Sequence, residues 1–321
     1  MRTGAGRYWP VWIAVAPAAA WALVRVFGLD GGSLLAPLMA FTPYAAIAAL
    51  LVAGTAAALR NWTAASVAAL ATLCLAAAVL PRAIGDGTES AAGRETLEVL
   101  SSNILHGKAE PEALVALVER LDPDLVAIQE LTPPYVRKLR VAGLDRLLPE
   151  RLLAVDPERP RLPGRGIYSR LPLRRLGAIG PLGLRTQAAA VSLPGGNSVR
   201  VVNVHPHTPK VGHIGSWQRS LEGLPSAGTG PPWVLIGDFN ATLDQSELRD
   251  VIERGYRDAG DVAGQGLEPT WPQGRGDLPL LVTIDHVLAD RRLGIVEYSV
   301  EPQPGSDHRA VRTVLALPNR D

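Results

Sequence analysis

The chain has 321 residues, and its 32 basic and 31 acidic side chains give a formal net charge of +1 at pH 7. Residues 1–88 contain five arginines and two aspartates, so residues 89–321 hold the other 27 basic and 29 acidic residues and lack the excess of positive charge that is typical of nucleic-acid binding. Cys74 is the only cysteine, which excludes a disulfide within the chain.

Three apolar stretches dominate the first part of the chain, at 9–29, 34–59 and 62–80. Each approaches or exceeds the ~20 residues that a helix needs to cross ~30 Å of hydrocarbon. Trp9, Trp12 and Trp62 lie near their ends, as in an aromatic belt. A cleaved signal peptide and an alanine-rich soluble domain are the alternatives. No clear cleavage site follows the first stretch, and the second has no charge, so the sequence predicts three transmembrane helices.

The distribution of arginine predicts an orientation in the membrane. Arg2 and Arg7 precede the first stretch and Arg60 lies between the second and third, whereas Asp30 lies between the first and second. Positive residues favour the cytoplasmic side. The N-terminus is therefore predicted inside, and an odd number of spans puts the following domain on the extracytoplasmic side of the cell membrane. Arg82 argues weakly for the reverse.

A composition change marks the start of a second domain. Residues 81–95 are small and polar, as in a linker. We expect a membrane domain over 1–88, a linker over 89–95 and a catalytic domain over 96–321.

Strand and helix patterns alternate in this second domain, which predicts an α/β fold with mixed sheet structure. Leu114, Leu117, Val118 and Leu121 form one face of a helix over 111–121, which Asp122-Pro123 ends. The predicted strands are 97–103, 124–130, 166–170, 188–193, 198–205, 233–240, 281–289 and 311–317. The stretch 255–280 is rich in glycine and proline and is predicted to be a long loop.

Polar residues that suit catalysis follow or interrupt several of these apolar strands. They are Asn103, Glu130, Asn203, His205, Asp238, Asn240, Asp285, Asp307 and His308. Active sites gather groups from many points of a chain. The sequence has no cysteine cluster and no HExxH motif, whereas carboxylates with amides suit Mg²⁺ or Mn²⁺. Carboxylate, amide and imidazole beside such an ion are the parts needed to hydrolyse a phosphate ester.

The residues around these positions resemble the motifs of the endonuclease/exonuclease/phosphatase superfamily, which includes DNase I-like nucleases and phosphatases. The matching blocks, in order, are SSNIL (101–105), AIQE (127–130), GIYSRLPL (166–173), VNVHPH (202–207), GDFNAT (237–242), IDHV (284–287) and SDH (306–308). The resemblance implies the DNase I-like fold, a four-layer sandwich of two mixed β-sheets flanked by helices, and a Mg²⁺ or Mn²⁺ cofactor.

The same resemblance implies a metal site. Glu130 matches the main metal ligand of the family, with Asn103 beside it. Asp307 matches a second metal or water contact.

Five further residues match catalytic positions. Asp238 resembles the residue that orients or activates the attacking water, and Asn240 one that positions phosphate or water. His308 resembles the acid or base that contacts phosphate, and Asp285 the carboxylate that orients it. His205 resembles a second histidine near the leaving group. The division of acid and base roles among Asp238, His205 and His308 stays open.

Several neighbouring residues have weaker signals. His106 and Arg165 are expected to be solvated, although either would be able to contact substrate. His286 is expected to support the site or lie on the surface. Asp258 and Trp271 resemble positions around the active site of the family.

Three apolar spans before a domain of this kind resemble the VanJ-type glycopeptide-resistance membrane proteins. That resemblance implies a membrane partner, a role in antibiotic resistance and hydrolysis of a lipid-linked phosphate, such as undecaprenyl pyrophosphate, or of a phospholipid. A surface-anchored nuclease is the alternative, against which the presence of only three lysines argues. A non-catalytic scaffold is a third possibility. No protein partner is predicted.

Overall fold

The computed structural model describes residues 9–177, 187–273 and 281–318. The chain begins with a small helical bundle. Its helices are α1 (Trp9–Phe27), α2 (Leu35–Met39), α3 (Thr42–Ala58), α4 (Trp62–Val79) and α5 (Pro81–Ile84). Ala56 and Ala68 are buried where α1, α3 and α4 meet, because small side chains let helix backbones approach closely.

The expectation of three long membrane helices is wrong for the second apolar stretch. That stretch forms two helices, because the chain breaks at Ala40 and Phe41 and α3 begins at Thr42-Pro43. Proline favours the first turn of a helix. The Thr42 hydroxyl also donates a hydrogen bond to the Met39 carbonyl oxygen at 2.7 Å.

Two runs among the described residues are long and apolar enough to cross a membrane. They are Trp9–Phe27, of 19 residues, and Trp62–Ile84, of 23 residues, whereas α3 is shorter. With two candidate spans instead of three, the odd-number argument for an extracytoplasmic second domain no longer holds.

The rest of the chain alternates strands and helices. In chain order the strands are β1 (Thr96–Asn103), β2 (Leu125–Leu131), β3 (Glu150–Ala154), β4 (Gly164–Ser169), β5 (Leu173–Arg175), β6 (Gln187–Ser192), β7 (Ser198–Val204), β8 (Trp233–Asp238), β9 (Tyr256–Asp258), β10 (Asp285–Asp290), β11 (Gly294–Glu301) and β12 (Ala310–Ala316). The helices are α6 (Pro111–Leu121), α7 (Pro133–Ala142), α8 (Leu144–Leu147), α9 (Ile214–Glu222), α10 (Ser246–Glu253) and α11 (Ala259–Val262).

These strands form two mixed sheets of six. The first has the order β11-β12-β1-β2-β4-β3 and the second the order β5-β6-β7-β8-β10-β9. Each sheet has one parallel pair near its centre, β1 with β2 and β7 with β8, and its other neighbours are antiparallel. The carboxyl ends of two parallel strands lie at the same edge of a sheet. Each sheet therefore brings the ends of its two central strands to one edge.

The two sheets pack face to face with helices on both outer sides. Alternate residues such as Val99 and Val234 are fully buried in the core between the sheets. The opposite face of the first sheet packs on α6, α7 and α8, and that of the second on α9 and α10. This is the four-layer architecture expected from the sequence, and it follows from strands that are apolar on both faces.

The structure differs from the sequence-based prediction in several elements. The helix over 111–121 is confirmed, and it ends at Asp122 in the left-handed conformation before Pro123. The predicted loop 255–280 is wrong in part, because β9 and α11 lie within it, and its residues 274–280 lie outside the described residues. The strand predicted at 281–289 begins only at Asp285, and the strands β3, β5 and β11 and the helices α7 to α10 were not predicted.

The helical bundle packs against the sandwich at one end. Ala36 of α2 is fully buried in the core on the outer face of the second sheet. Arg25 Nε lies 2.8 Å from Asp244 Oδ1, and Arg82 binds both oxygens of Asp244 at 2.7 and 2.8 Å. The predicted linker is also held, since Arg94 donates to the carbonyl oxygens of Ala316 and Leu317. The bundle and the sandwich are therefore joined by apolar and charged contacts.

Candidate active site

The strand ends bring the predicted site residues to one edge of the sandwich. Asn103 ends β1, Glu130 lies near the end of β2, and Asp238 ends β8. His205 directly follows β7. Asp285 is paired with Asp238 in the antiparallel register of β10 and β8. Residues that are far apart in the sequence therefore converge because each terminates or begins a central strand.

His308 lies between two carboxylates. Its Nδ1 is 2.9 Å from Asp285 Oδ2, and its Nε2 is 3.8 Å from Asp238 Oδ2. All three side chains are buried, with 2 to 7% of their surface exposed. The Asp285 hydrogen bond fixes the orientation of the imidazole ring and leaves Nε2 directed toward Asp238.

Two more predicted residues continue this cluster. His205 Nε2 lies 3.6 Å from both Asp238 Oδ2 and Glu130 Oε1. The Asn103 amide donates to Asp238 Oδ2 at 2.9 Å and to Glu130 Oε1 at 3.3 Å. Its oxygen accepts a hydrogen bond from the Leu105 backbone at 3.1 Å. Asn103 therefore presents its nitrogen to the two carboxylates.

Backbone geometry directs two of these side chains. Glu130 has φ of 58°, and the pairing of β2 with β4 shifts in register between Gln129 and Leu131, so Glu130 sits at a bulge. Asn240 has φ of 49° and donates its backbone N–H to Asp238 Oδ1 at 2.8 Å. Left-handed conformations cost non-glycine residues about 1–3 kcal/mol and cluster at functional sites.

Asp307 lies at the rim of the cluster and Asn203 lies beneath it. Asp307 Oδ2 accepts a hydrogen bond from Trp271 Nε1 at 3.3 Å, and its Oδ1 is 4.0 Å from His308 Nε2. The fully buried Asn203 amide instead donates to the carbonyl oxygens of Ile128 and Gly166 in the other sheet, at 3.1 and 3.0 Å. Asn203 thus joins the two sheets.

A second buried pair supports the loop that follows Asp238. His286 Nδ1 lies 2.8 Å from Asp258 Oδ2, and its Nε2 lies 2.9 Å from the Ala241 carbonyl oxygen. His286 is 2% exposed, so the expected surface position is wrong and the expected supporting position is confirmed. The pair ties β10, β9 and the loop carrying Asn240 together.

Burial and neighbouring charges change how these groups titrate. Burial, reinforced by Asp285, raises the pKa of Asp238 to about 7. Burial alone would lower the pKa of His308, but the carboxylates of Asp285 and Asp238 outweigh it and raise that pKa to about 10. Burial lowers the pKa of His205 well below its ordinary value, and the positive charge of Arg165 adds to the effect. The surroundings therefore shift the pKa values of the two imidazoles in opposite directions, up for His308 and down for His205.

The donor set suits a divalent cation. Glu130, Asp238 and Asp285 face imidazoles and amides. Asp238, Asp285 and His308 each offer a ligand atom within 4.8 Å of the others. His308 and Asp285 already bind each other, and the Glu130 carboxylate adjoins this group through His205, so Glu130 is a further carboxylate placed to hold an ion.

The cluster lines one wall of a cleft of about 1110 Å³. His106, Glu130, Asp238 and His308 are exposed to this cleft. His106 contacts Glu130 Oε2 twice. Its backbone N–H donates a hydrogen bond at 2.8 Å, and its ring nitrogen Nδ1 is the second contact. The His106 side chain is 54% exposed, as the sequence predicts, but its contact with Glu130 carries no sequence signal.

Residues of the apolar N-terminal region also line the cleft. Pro37, Ala40 and Phe41 belong to its wall. Nothing in the sequence pointed to them, because an apolar stretch that is read as a membrane span is not expected to reach a catalytic site.

Comparisons with known proteins agree with this architecture. The model of the endonuclease/exonuclease/phosphatase family matches residues 100–308, which is more than half of the chain. No curated protein matches the sequence.

Solved structures share the fold at low sequence identity. An endonuclease/exonuclease/phosphatase from Beutenbergia cavernae is 21% identical, with 70% of this chain and 72% of that chain covered and a TM-score of 0.53. A mannosyl-6-phosphatase from Bacteroides thetaiotaomicron is 15% identical, with 69% and 100% covered and a TM-score of 0.52. A truncated Caenorhabditis elegans TDP2 is 17% identical, with 69% and 98% covered and a TM-score of 0.53.

The chain belongs to the endonuclease/exonuclease/phosphatase family. Members of this family are metal-dependent hydrolases that act on phosphoester bonds, and the chain is such a hydrolase.

Proposed function

We propose that this hydrolase is anchored in a membrane and cleaves a phosphate ester or pyrophosphate of a membrane lipid, with Mg²⁺ as cofactor. The preferred substrate class is a polyprenyl carrier such as undecaprenyl pyrophosphate. One observation carries this proposal: the loop that follows Asp238 rests on the ends of the apolar helices through the Asp244 contacts with Arg25 and Arg82.

Those contacts come from one end of the helical bundle. Arg25 is in the last turn of α1, Tyr44 is in the first turn of α3, and Arg82 follows α4. All three residues bind the sandwich, Tyr44 through the backbone of Leu281 at 2.8 and 2.9 Å. If the helices cross a membrane, the sandwich therefore lies directly on its surface.

The sides of the bundle favour a lipid environment. Large apolar side chains on α1, α3 and α4 stay more than half exposed, and they are Ile13, Leu23, Leu50, Leu51, Leu70 and Leu73. Large exposed apolar side chains in this number are unusual for a soluble monomer and favour contact with a membrane or a partner. Together with the length of α1 and of the run 62–84, it supports membrane attachment.

The cleft suits an anionic phosphate group. Arg159, Arg165 and Arg175 line it together with the catalytic cluster. Guanidinium groups bind phosphate oxygens through paired hydrogen bonds. The positive side chains of the cleft therefore complement the charge of a phosphate or pyrophosphate.

The residues of the cluster divide the chemistry as follows. Asp238 orients and deprotonates the attacking water, and Asn240 holds the phosphoryl group. His308, oriented by Asp285, donates a hydrogen bond to a phosphoryl oxygen, and His205 faces the leaving group. Glu130 would hold the Mg²⁺, with Asn103 and Asp307 as its other predicted contacts, and a bound Mg²⁺ would offset charge on the phosphoryl oxygens.

The test is phosphate release from undecaprenyl pyrophosphate by detergent-solubilised full-length protein, with Mg²⁺ or with EDTA. We expect the wild type to release phosphate with Mg²⁺ and not with EDTA. We expect His308→Ala to release none in either condition. His213→Ala is the matched control, because His213 is exposed and outside the cleft. No release from the wild type would exclude this substrate, and the same protein would then be tested on phospholipid and on plasmid DNA.

Protease added to intact cells tests which side of the membrane the sandwich occupies. Extracytoplasmic placement predicts loss of residues 96–321 while the helices are retained. Full protection of the sandwich would put it in the cytoplasm.

A further inference from the structure

Helix α2 is part of the wall of the catalytic sandwich as well as part of the N-terminal bundle. Ala36, on its inner side, has no exposed surface and packs in the same core as Val202, Val204 and Phe239. Val204 immediately precedes His205, and Phe239 lies between Asp238 and Asn240. The packing of α2 is therefore fixed directly behind two segments that carry catalytic residues.

This packing directs the corner between α2 and α3 toward the cleft. Pro37, Ala40 and Phe41 are half-buried and line the same cavity as Asp238 and His308. The corner is rigid, because Thr42 donates to the Met39 carbonyl at 2.7 Å and accepts from Trp21 Nε1 at 3.1 Å. We call Pro37, Ala40 and Phe41 the apolar wall.

Further apolar side chains of the cleft come from the sandwich. Trp271, Val282 and Ile284 line the cleft. Trp271 is held by its hydrogen bond to Asp307, which adjoins His308. The catalytic cluster therefore shares one cleft with apolar surface from the sandwich and from the apolar wall.

We infer that the apolar wall binds the first part of the hydrocarbon chain of a lipid phosphate and sets the preference of the enzyme for long-chain over water-soluble phosphates. This inference rests on the proposed function. A hydrocarbon is the occupant that fits, because the wall offers no side-chain hydrogen-bond group and is continuous in the chain with helices whose large apolar side chains are exposed.

The experiment compares two substrates that carry the same pyrophosphate group. A long-chain polyprenyl pyrophosphate in mixed micelles and a short, water-soluble methyl pyrophosphate, which has no chain to reach the wall, are given to full-length wild-type protein and to Phe41→Ala, Phe41→Leu and Ala40→Asp. Loss of one apolar contact in a binding pocket lowers kcat/KM by about tenfold or more. We expect Phe41→Ala and Ala40→Asp to lose that factor on the long-chain substrate while retaining the wild-type rate on the short one within about twofold. Phe41→Leu, which keeps an apolar side chain, restores most of the long-chain rate.

Leu38→Ala is the matched control. Leu38 lies on the same helix as Pro37, is 37% exposed and does not line the cleft. Its substitution removes a similar apolar area and is expected to change neither rate. The retained rate on the short substrate shows that each variant is folded.

The possible outcomes separate the wall from the proposed function. A wild type that is active on the long chain, with Phe41→Ala and Ala40→Asp equally active, overturns the wall and leaves the proposed function standing. Equal loss on both substrates also overturns it, since the corner would then support the fold alone. A wild type that is inactive on long-chain lipid overturns the proposed function and the wall together. Selective loss on the long chain supports the wall.

Discussion

Asp238 is the residue through which the members of the cluster contact one another. Its Oδ1 accepts from the Asn240 backbone at 2.8 Å and its Oδ2 from the Asn103 amide at 2.9 Å, while His205 and His308 lie 3.6 and 3.8 Å from Oδ2. A buried carboxylate surrounded by donors and imidazoles is well placed to take a proton from water, which is the task that the sequence motif predicts for it.

Replacing Asp238 with asparagine tests that task. Asp238→Asn keeps the size of the side chain and removes its ability to accept a proton. Proton handling contributes about 10²–10⁴-fold to a rate, so we expect kcat to fall by that factor. The measurement is steady-state phosphate release, with thermal unfolding as the check that the fold is intact. A variant that is folded and as fast as the wild type would refute the role of Asp238.

Glu130 is the residue that the metal prediction singles out. Glu130→Gln removes one negative charge from the predicted metal ligand, so we expect weaker metal binding with little change of fold. The Mg²⁺ concentration for half-maximal activity is expected to rise by about tenfold or more, the factor for 1.4 kcal/mol of binding free energy. Activity titrated with Mg²⁺ measures it. An unchanged half-maximal concentration would show that the ion binds elsewhere.

At the scale of elements, the sequence was informative where the physical signal is local. The periodic face of α6 and its Asp122-Pro123 stop are such signals, and the helix is found where it was predicted. Strands buried on both faces, such as β2 and β8, read as short apolar runs and were also found. The strands β3, β5, β9 and β11 and the helices α7 to α11 were missed. Short elements such as β5, β9 and α11 depend on contacts with distant neighbours, which no local pattern reports.

The candidate site was also predictable only in part. Motif order and strand ends pointed to the residues that the structure brings together, because central strands must end at an edge of the sheet. The close approach of β7 to β8 was not predicted, because neither the motif order nor the strand ends indicate it. Gly237 has φ of 147°, and a Cβ there would lie 2.0 Å from the Val204 carbonyl oxygen, so only glycine fits between Ile236 and Asp238. The catalytic roles themselves stay predictions until they are measured.

His286 joins three elements, and its contribution to stability is predicted to depend on pH. Both ring nitrogens face acceptors, Asp258 Oδ2 and the Ala241 carbonyl oxygen, so the charged imidazole donates two hydrogen bonds. Burial alone would lower the pKa of His286, but Asp258 outweighs it and the pKa lies above the ordinary value of 6.5. A folded-state pKa above the unfolded one means stabilisation that is complete below pH 6.5 and lost as pH rises through the folded value.

Thermal unfolding of wild type and His286→Gln in detergent measures this dependence. We expect the difference between their midpoints to be larger at pH 6 than at pH 9. Asp258→Asn is the control, because without the carboxylate the folded pKa is no longer raised and the pH dependence should disappear. A midpoint difference that is the same at both pH values would contradict the ion pair.

At the scale of the whole molecule, the contact between helices and sandwich is a buried charge network. Asp244 is 1% exposed, and its partners Arg25 and Arg82 are 12% and 7% exposed. Asp30 adds a contact by accepting the Ser246 backbone N–H at 2.9 Å. Apolar packing alone allows helices to slide, whereas paired charges have one favourable geometry. The network therefore fixes the position of the cleft relative to the helices. The apolar wall depends on this position, because its residues belong to the helical bundle and line the cleft.

Removing the central carboxylate tests how strongly the two parts are held. Asp244→Ala leaves two buried guanidinium groups without a partner, and breaking a buried pair in this way costs about 3–5 kcal/mol. We expect the unfolding midpoint of the full-length protein to fall by about 6 °C or more. Activity on long-chain lipid should fall further than activity on a short pyrophosphate, because the helices lose their fixed position beside the cleft. Asp250→Ala, an exposed carboxylate of α10, is the control and should leave the midpoint unchanged. Equal midpoints for the two variants would mean that apolar packing by α2 holds the sandwich on the helices without help from the charges.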